Sequence, residues 1–247
     1  MTVSKRRPGL VAGPVSGSAA GGGFGGGSGG GPGGGDPARS PDAAFHLAVG
    51  HHQAGRLAEA ELAYRRVLAV CPGHPDILHL LGVLAHQNGR PADAVDLIGR
   101  AIAVRGDEAS YHNNLANALR ELGRHDEAVA RYRQALVLKP GYVEALYNLA
   151  NTLLTLNHLD EAAVCYRQAL AFKPDFTEVL GNLGGILLTR KRFDEARSCF
   201  ERALALRPDF AEAHFNLGQT LLGQGRPEDA AACFERARAL AAAAGRE

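Results

Sequence analysis

The sequence predicts an all-α protein built from repeated helical hairpins. Pro72, Pro140, Pro174 and Pro208 are separated by 68, 34 and 34 residues, which indicates a 34-residue period. Within each period, apolar residues occur twice at the spacing of an amphipathic helix. A residue suited to ending a helix falls between the two apolar stretches. Two helices joined by a tight turn explain these three observations together.

The period divides residues 41–244 into six repeats, because six times 34 is 204. Positions are numbered 1 to 34 within each repeat below. The predicted repeats are 41–74, 75–108, 109–142, 143–176, 177–210 and 211–244, with residues 1–40 before them and 245–247 at the C-terminal end.

The same residue types recur at fixed positions of every repeat. Position 7 is Leu, position 8 is Gly or Ala, and position 20 is Ala. Small residues at positions 8 and 20 let two helices approach closely. Position 24 is bulky in each repeat: Tyr64, Ile98, Tyr132, Tyr166, Phe200 and Phe234. The first and second helices are therefore expected to pack through these positions.

The ends of the helices are also indicated. Position 15 should adopt the left-handed conformation that ends the first helix, and its residues are Gly55, Gly89, Gly123, Asn157, Lys191 and Gly225. Lys191 departs from this pattern, which predicts a strained or differently capped turn. Asp126, Asp160 and Asp194 at position 18 suit the start of the second helix as acceptors of free backbone N–H groups. Pro at position 32 stops that helix.

These offsets, with Ala at position 27, resemble the tetratricopeptide repeat. The resemblance implies a right-handed α-solenoid whose first helices line a concave peptide-binding groove. Two segments, 113–140 and 146–174, resemble in particular the repeats that precede the catalytic region of protein O-GlcNAc transferases. That catalytic region would need several hundred further residues. A truncated or split glycosyltransferase that supplies only the substrate-recognition repeats is therefore the alternative function.

Amide side chains recur where the resemblance places the groove. Position 6 is Asn in four repeats and position 9 adds further amides. An amide donates and accepts hydrogen bonds, so it can pair with a peptide backbone of any sequence. Simple copying of Asn by duplication is the competing explanation, although position 5 varies beside it. The candidate peptide-binding residues are Asn114, Asn117, Asn148, Asn151, Asn182, Asn216, Gln219 and Tyr147.

The overall charge hides two unlike parts. The 247 residues include 31 Gly and carry a formal net charge of +1. Residues 1–40 hold 15 of the Gly and a net charge of +3, so a disordered Gly-rich tail is predicted. Residues 41–247 carry −2. This balance disfavours a nucleic-acid partner, and no window is apolar enough to predict a membrane span.

No catalytic constellation, cofactor site or metal site is predicted. Cys165, Cys199 and Cys233 occupy position 23 of successive repeats, about 8–10 Å apart, which exceeds the ~7 Å limit for a disulfide. Reduced thiols and a cytoplasmic location are therefore expected. His52 and His86 occupy equivalent positions in parallel rather than converging on one metal ion.

The predicted function is a non-catalytic interaction scaffold that binds an extended peptide or protein partner. Position 2 is Asp or Glu in five repeats and Ser110 in the third, so a cationic clamp for a terminal carboxylate is disfavoured, and basic or neutral polar ligands fit better. Self-association through the C-terminal repeat is left open, because no polar capping helix follows Arg238.

Overall fold

The computed structural model describes residues 41–244. This range forms twelve α-helices and no β-strand, which confirms the predicted all-α class of helix pairs. The tail 1–40, for which disorder is predicted, and residues 245–247 lie outside the described residues. The helices are α1 Pro41–Gln53, α2 Leu57–Val70, α3 Pro75–Gln87, α4 Pro91–Val104, α5 Ala109–Glu121, α6 His125–Leu138, α7 Val143–Thr155, α8 Leu159–Phe172, α9 Thr177–Thr189, α10 Phe193–Leu206, α11 Ala211–Gly223 and α12 Pro227–Ala244.

Contacts divide the chain into two compact units, with the boundary after Pro72. In the described part of the first unit, α1 packs on α2. In the second unit, helices pack as pairs from α3 with α4 to α11 with α12, and each second helix also contacts the first helix of the next pair. First helices touch one another as well, α3 with α5, α5 with α7 and α9 with α11. This succession is the packing of an α-solenoid.

The core of each pair is built around the bulky residue at position 24. Five of the six side chains there are fully buried, each contributing roughly 1.5–3 kcal/mol of burial free energy. In three repeats, glycine at position 8 lets the first helix approach this buried side chain closely. A Cβ atom added at Gly184 would lie 2.7 Å from the ring of Phe200, and one at Gly82 would lie 2.5 Å from the side chain of Ile98. The small residues therefore set the distance between the two helices.

The turns within the pairs use the left-handed conformation, as predicted for position 15. All six residues there have positive φ angles, including Asn157 at 61° and Lys191 at 56°. A left-handed Lys costs free energy that Gly does not, because its Cβ crowds the following carbonyl oxygen. The expectation of strain at Lys191 therefore agrees with its backbone conformation.

The aspartates at position 18 lie at the start of the second helices, as predicted, but the capping of these helices differs from the prediction. The residues immediately before α6, α8 and α10 are Arg124, His158 and Arg192, and none makes a side-chain capping bond. The aspartates at position 18 lie inside the first turn, where the helix dipole favours them. Two of them form contacts to the following repeat. Arg190 donates to Asp160 over 2.7 Å, and Gln224 donates to Asp194 over 2.7 Å.

Candidate functional site

The predicted amides lie along the first helices of the second unit, and hydrogen bonds join some of them to neighbouring side chains. We call the Asn and Gln residues at positions 6 and 9 of repeats 3 to 6 the amide row: Asn114, Asn117, Asn148, Asn151, Asn182, Asn216 and Gln219. Hydrogen bonds link side chains on neighbouring first helices: Asn114 to His79 over 2.9 Å, and Asn182 to Asn151 over 3.2 Å. The Asn side chains of the row are half-buried and Gln219 is exposed. The fold thus places side chains from separate repeats next to one another.

Tyrosines of the second helices orient two of the amides. The Tyr132 hydroxyl donates to Asn117 Oδ1 over 2.6 Å, and the Tyr166 hydroxyl donates to Asn151 Oδ1. Both tyrosines are fully buried, and burial raises the pKa of Tyr132 to about 12. A buried hydroxyl needs a partner, and the amide oxygen supplies one. Each of these amides keeps its Nδ2 group, which makes no side-chain hydrogen bond within the described residues.

Two further amides are engaged with neighbouring side chains. Asn182 Nδ2 donates to Asn151 Oδ1 and, over 3.1 Å, to the Tyr166 hydroxyl, so its own Oδ1 is left as an acceptor. Asn114 contacts His79 through Nδ2 and accepts from Asn113 through Oδ1. Both Nδ2 and Oδ1 of Asn114 thus form hydrogen bonds within the protein.

The remaining members of the row form no side-chain hydrogen bonds within the described residues. The side-chain amides of Asn148, Asn216 and Gln219 make no hydrogen bond to any residue in the range 41–244. Tyr147, the aromatic candidate, is half-buried, with its ring centroid 5.1 Å from that of Phe176 and 6.4 Å from that of Tyr166. Asn148 and Asn216 are therefore the two half-buried amides with both donor and acceptor groups available to a ligand.

The acidic residues at position 2 are less available than the sequence suggests. Asp76 is paired with Arg105 and also accepts from the Tyr111 hydroxyl over 2.6 Å. Glu178 accepts from Arg207 Nη1 over 2.8 Å. Glu212 is exposed and makes no ion pair or side-chain hydrogen bond within the described part of the chain. Glu144 is also exposed and accepts only from Asn113 Nδ2, over 3.3 Å, so among the described side chains Glu144 and Glu212 are the acidic residues at this position that offer negative charge to a ligand.

Three side chains that shape the row were not predicted: Tyr132, Tyr166 and His79. The contacts of the two tyrosines could have been predicted from the residue types that occur together at positions 9 and 24. Where Asn occupies position 9, position 24 is Tyr, whereas repeats 5 and 6 combine Phe with Gly185 and Gln219. His79 stacks on Tyr111 with a centroid separation of 4.3 Å, and burial lowers its pKa to about 4. Its environment depends on residues 32 to 35 positions away, which no local pattern reveals.

The cysteines and the acidic and histidine side chains do not gather into a reactive centre within residues 41–244. All four cysteines are free, and burial raises the pKa of the Cys165 and Cys199 thiols, which disfavours the reactive thiolate. No group of three or more His, Cys, Asp or Glu side chains in this range could hold a metal ion. None of the helices in the range has the length and hydrophobicity to cross a bilayer.

Comparison with known protein families identifies the repeats. Family models described as tetratricopeptide repeat match residues 51–118, 143–176 and 175–243, and one described as TPR repeat matches residues 116–157. The chain belongs to the tetratricopeptide-repeat family. A comparison of the sequence with curated proteins found no match. The finer resemblance to O-GlcNAc transferase repeats stays a prediction.

Solved structures of other tetratricopeptide-repeat proteins share the fold. YrrB, whose structure is titled as that of a TPR protein with an unusual peptide-binding site, is 19% identical, with a TM-score of 0.66, covering 72% of this chain and 92% of its own. PilF of Pseudomonas aeruginosa is 21% identical, with a TM-score of 0.68 and coverage of 78% and 88%. MamA of Desulfovibrio magneticus RS-1 is 18% identical, with a TM-score of 0.64 and coverage of 69% and 96%. These likenesses show the same α-solenoid fold.

Proposed function

We propose that this chain is a non-catalytic interaction scaffold that binds an extended peptide along its amide row. The observation that carries the proposal is the state of Asn148 and Asn216. Both amides are half-buried on first helices and unbonded within the described residues. A half-buried amide without a partner loses solvation that a ligand backbone can restore. The row therefore has the chemistry to accept and donate hydrogen bonds to a peptide main chain.

The tyrosine contacts strengthen this proposal by fixing which atoms face a ligand. Because the Tyr132 and Tyr166 hydroxyls donate to Oδ1 of Asn117 and Asn151, these amides are oriented with their Nδ2 groups free to donate to a ligand. Asn182, whose Nδ2 is engaged, can serve only as an acceptor. Orientation before binding reduces the entropy lost on binding. The row would thus present a fixed order of donors and acceptors.

The spacing of the repeats suits an extended ligand. Stacked helices lie about 8–10 Å apart, whereas an extended chain advances about 3.3 Å per residue. One repeat would therefore meet a ligand about every third residue. Between these contacts, Tyr147 offers an aromatic surface to a ligand side chain. Exposed Glu212 favours a ligand that is basic or neutral at that end.

The family comparison supports the proposed class. YrrB is described as a TPR protein with an unusual peptide-binding site, and its fold matches most of this chain. The glycosyltransferase alternative remains an expectation from sequence resemblance. The proposal itself depends on the amide contacts.

The test uses peptides selected on the full chain from a random dodecamer phage library. Their affinities are then compared for the wild type, for the double variant Asn148→Ala/Asn216→Ala, and for the control Asn88→Ala, which removes an exposed amide at the end of α3. We expect a 10- to 100-fold loss for the double variant, because each lost backbone hydrogen bond contributes about 0.5–1.5 kcal/mol. The control should bind like the wild type. Equal affinities for all three proteins would overturn the amide row as the binding site.

A further inference from the structure

The turns that follow the second helices carry a recurring three-part contact. In repeats 3 to 5 the residue at position 34 is aromatic. In repeat 4 the Phe176 ring packs on Tyr147 at position 5, with centroids 5.1 Å apart. In repeat 5 the Phe210 ring covers Gly181 at the same position, so that an added Cβ would lie 3.1 Å from it. The aromatic residue thus closes the end of the groove between its own two helices.

A basic residue three positions earlier completes the contact. The Lys173 ammonium lies 4.7 Å from the centre of the Phe176 ring, and the Arg207 guanidinium lies 3.9 Å from that of Phe210. Arg207 also pairs with Glu178 at position 2 of the same repeat, over 2.8 Å. A cation over an aromatic face and beside a carboxylate is stabilised by both. The segment Arg-Pro-Asp-Phe, residues 207–210, is the most complete example.

Repeat 6 has the receiving surface but not the segment that fills it. Positions 31 to 34 are alanines, and α12 continues through them to Ala244. Phe215 at position 5 is 46% exposed, with its ring 5.5 Å from that of Phe234. This pair corresponds to Tyr147 and Tyr166 of repeat 4, without the third ring. The resulting open groove has a volume of about 460 Å³ and is lined by Ala211, Glu212, Phe215, Phe234, Ala237, Arg238 and Ala241.

We propose that the groove between α11 and α12 binds a partner segment in which a basic residue precedes Phe or Tyr by three positions. The aromatic ring would pack on Phe215, as Phe176 packs on Tyr147. The basic residue would pair with Glu212, as Arg207 pairs with Glu178. The two charged residues of the lining, Glu212 and Arg238, have opposite signs, so a segment that also carries an acidic residue fits both.

No residue of the amide row lines this terminal groove, and the two surfaces differ in chemistry. The amide row would bind a peptide main chain, whereas the terminal groove would bind an aromatic side chain and a basic side chain. Neither Asn148 nor Asn216 lines the groove. The two proposals can therefore fail independently.

The test is fluorescence anisotropy of a labelled peptide of sequence LRPDFAEA, which copies residues 206–213, titrated with the full chain. We expect saturable binding, weakened at least 10-fold when Phe of the peptide is replaced by Ala, since burying an aromatic side chain contributes about 1.5–3 kcal/mol. Phe215→Ala in the protein should weaken binding to the same degree. Glu212→Gln should weaken it about 3-fold. The matched control Phe172→Ala, at a side chain 57% exposed on α8, should bind normally.

Circular dichroism of each variant shows whether its helices are retained, which separates loss of the groove from loss of the fold. The absence of saturable binding to the wild type would overturn the proposal. Equal binding by the Phe215→Ala and Phe172→Ala variants would overturn it as well. Sedimentation of the wild type tests whether a second copy fills the groove. A dimer that excludes the peptide and is abolished by Phe215→Ala would assign the groove to self-association instead.

Discussion

Helix pairs with Tyr at position 24 differ from pairs with Phe there in the residues around the ring. The Tyr pairs have Ala at position 8, at Ala48, Ala116 and Ala150, whereas the Phe pairs have Gly184 and Gly218. In the pairs α5–α6 and α7–α8 the Tyr hydroxyl bonds an Asn at position 9. In the Phe pairs the ring approaches the backbone of the first helix so closely that Gly is required. The same repeat pattern thus packs its core in two ways, with Tyr against Ala or with Phe against Gly.

The difference teaches that the amides have two roles. Asn117 and Asn151 satisfy buried hydroxyls and so are required by the core, whatever they bind. Asn148 and Asn216 at position 6 have no such partner. A recurring polar residue in a repeat protein is therefore evidence of binding only if no buried polar group of the core uses it as a hydrogen-bond partner.

The largest expected effect comes from adding a methyl group at position 8 of a Phe pair. Gly184→Ala should lower the free energy of unfolding by about 2–3 kcal/mol, because its Cβ would lie 2.7 Å from a fully buried ring. The neighbouring Gly185→Ala has open space around its Cβ and should raise stability by about 1 kcal/mol through helix propensity. Urea unfolding followed by circular dichroism measures both. Equal effects would break the proposed distinction between the pairs.

A second test converts a Phe pair into a Tyr pair. Phe200→Tyr places a buried hydroxyl opposite Gly185, which offers no side-chain partner, so stability should fall by about 2 kcal/mol. Adding Gly185→Asn should recover about 1–2 kcal/mol, as the Tyr166 contact with Asn151 indicates. A double-mutant cycle on the urea midpoints isolates this coupling. Additive effects of the two changes would contradict the proposed link between positions 9 and 24.

A third buried polar contact, between His79 and Asn114, differs from the Tyr–Asn contacts because His titrates. Burial lowers the His79 pKa to about 4, and the unfolded value is about 6.5. The unfolded chain therefore binds more protons between these values, and stability falls as the pH drops through this range. From pH 7 to pH 5 we expect the wild type to lose about 2 kcal/mol more than His79→Gln does. Parallel pH profiles of the two proteins would contradict this.

The smallest effect concerns the turn of repeat 5. Lys191→Gly should raise the free energy of unfolding by about 1 kcal/mol, because Gly adopts the left-handed conformation without a Cβ penalty. Asn157→Gly in the equivalent turn should change it by only a few tenths, since Asn tolerates this conformation. The same urea measurements serve here. A Lys191→Gly variant no more stable than the wild type would show that the turn stores no strain.

Much of the fold was predictable because it depends on local signals. The period of 34, the apolar spacing and the residues at position 15 fix the helix pairs and their turns. The extension of α12 follows from alanines where four of the other five repeats have Pro at position 32. The bonding of the aspartates at the start of the second helices was mispredicted, because Asp160 and Asp194 bond to side chains about 30 residues away instead of to nearby backbone groups.

The candidate site was less predictable than the fold. The position of the amides could be expected from the family resemblance, but their hydrogen-bond states could not. The states of Asn117, Asn151 and Asn182 depend on whether position 24 of a second helix carries a hydroxyl, a pattern visible only when two helices are compared. The pairing of Asp76 and Glu178 with arginines likewise requires knowledge of which residues meet after each second helix ends.

The most direct measurement of the central claim is nuclear magnetic resonance of the side-chain amide groups during titration with a selected peptide. Binding along the amide row predicts that the NH₂ signals of Asn148 and Asn216 shift with peptide concentration, while that of Asn88 stays in place. Asn114, committed to His79 and Asn113, should shift little. Shifts confined to the second helices, with Asn148 and Asn216 unchanged at saturation, would contradict the account.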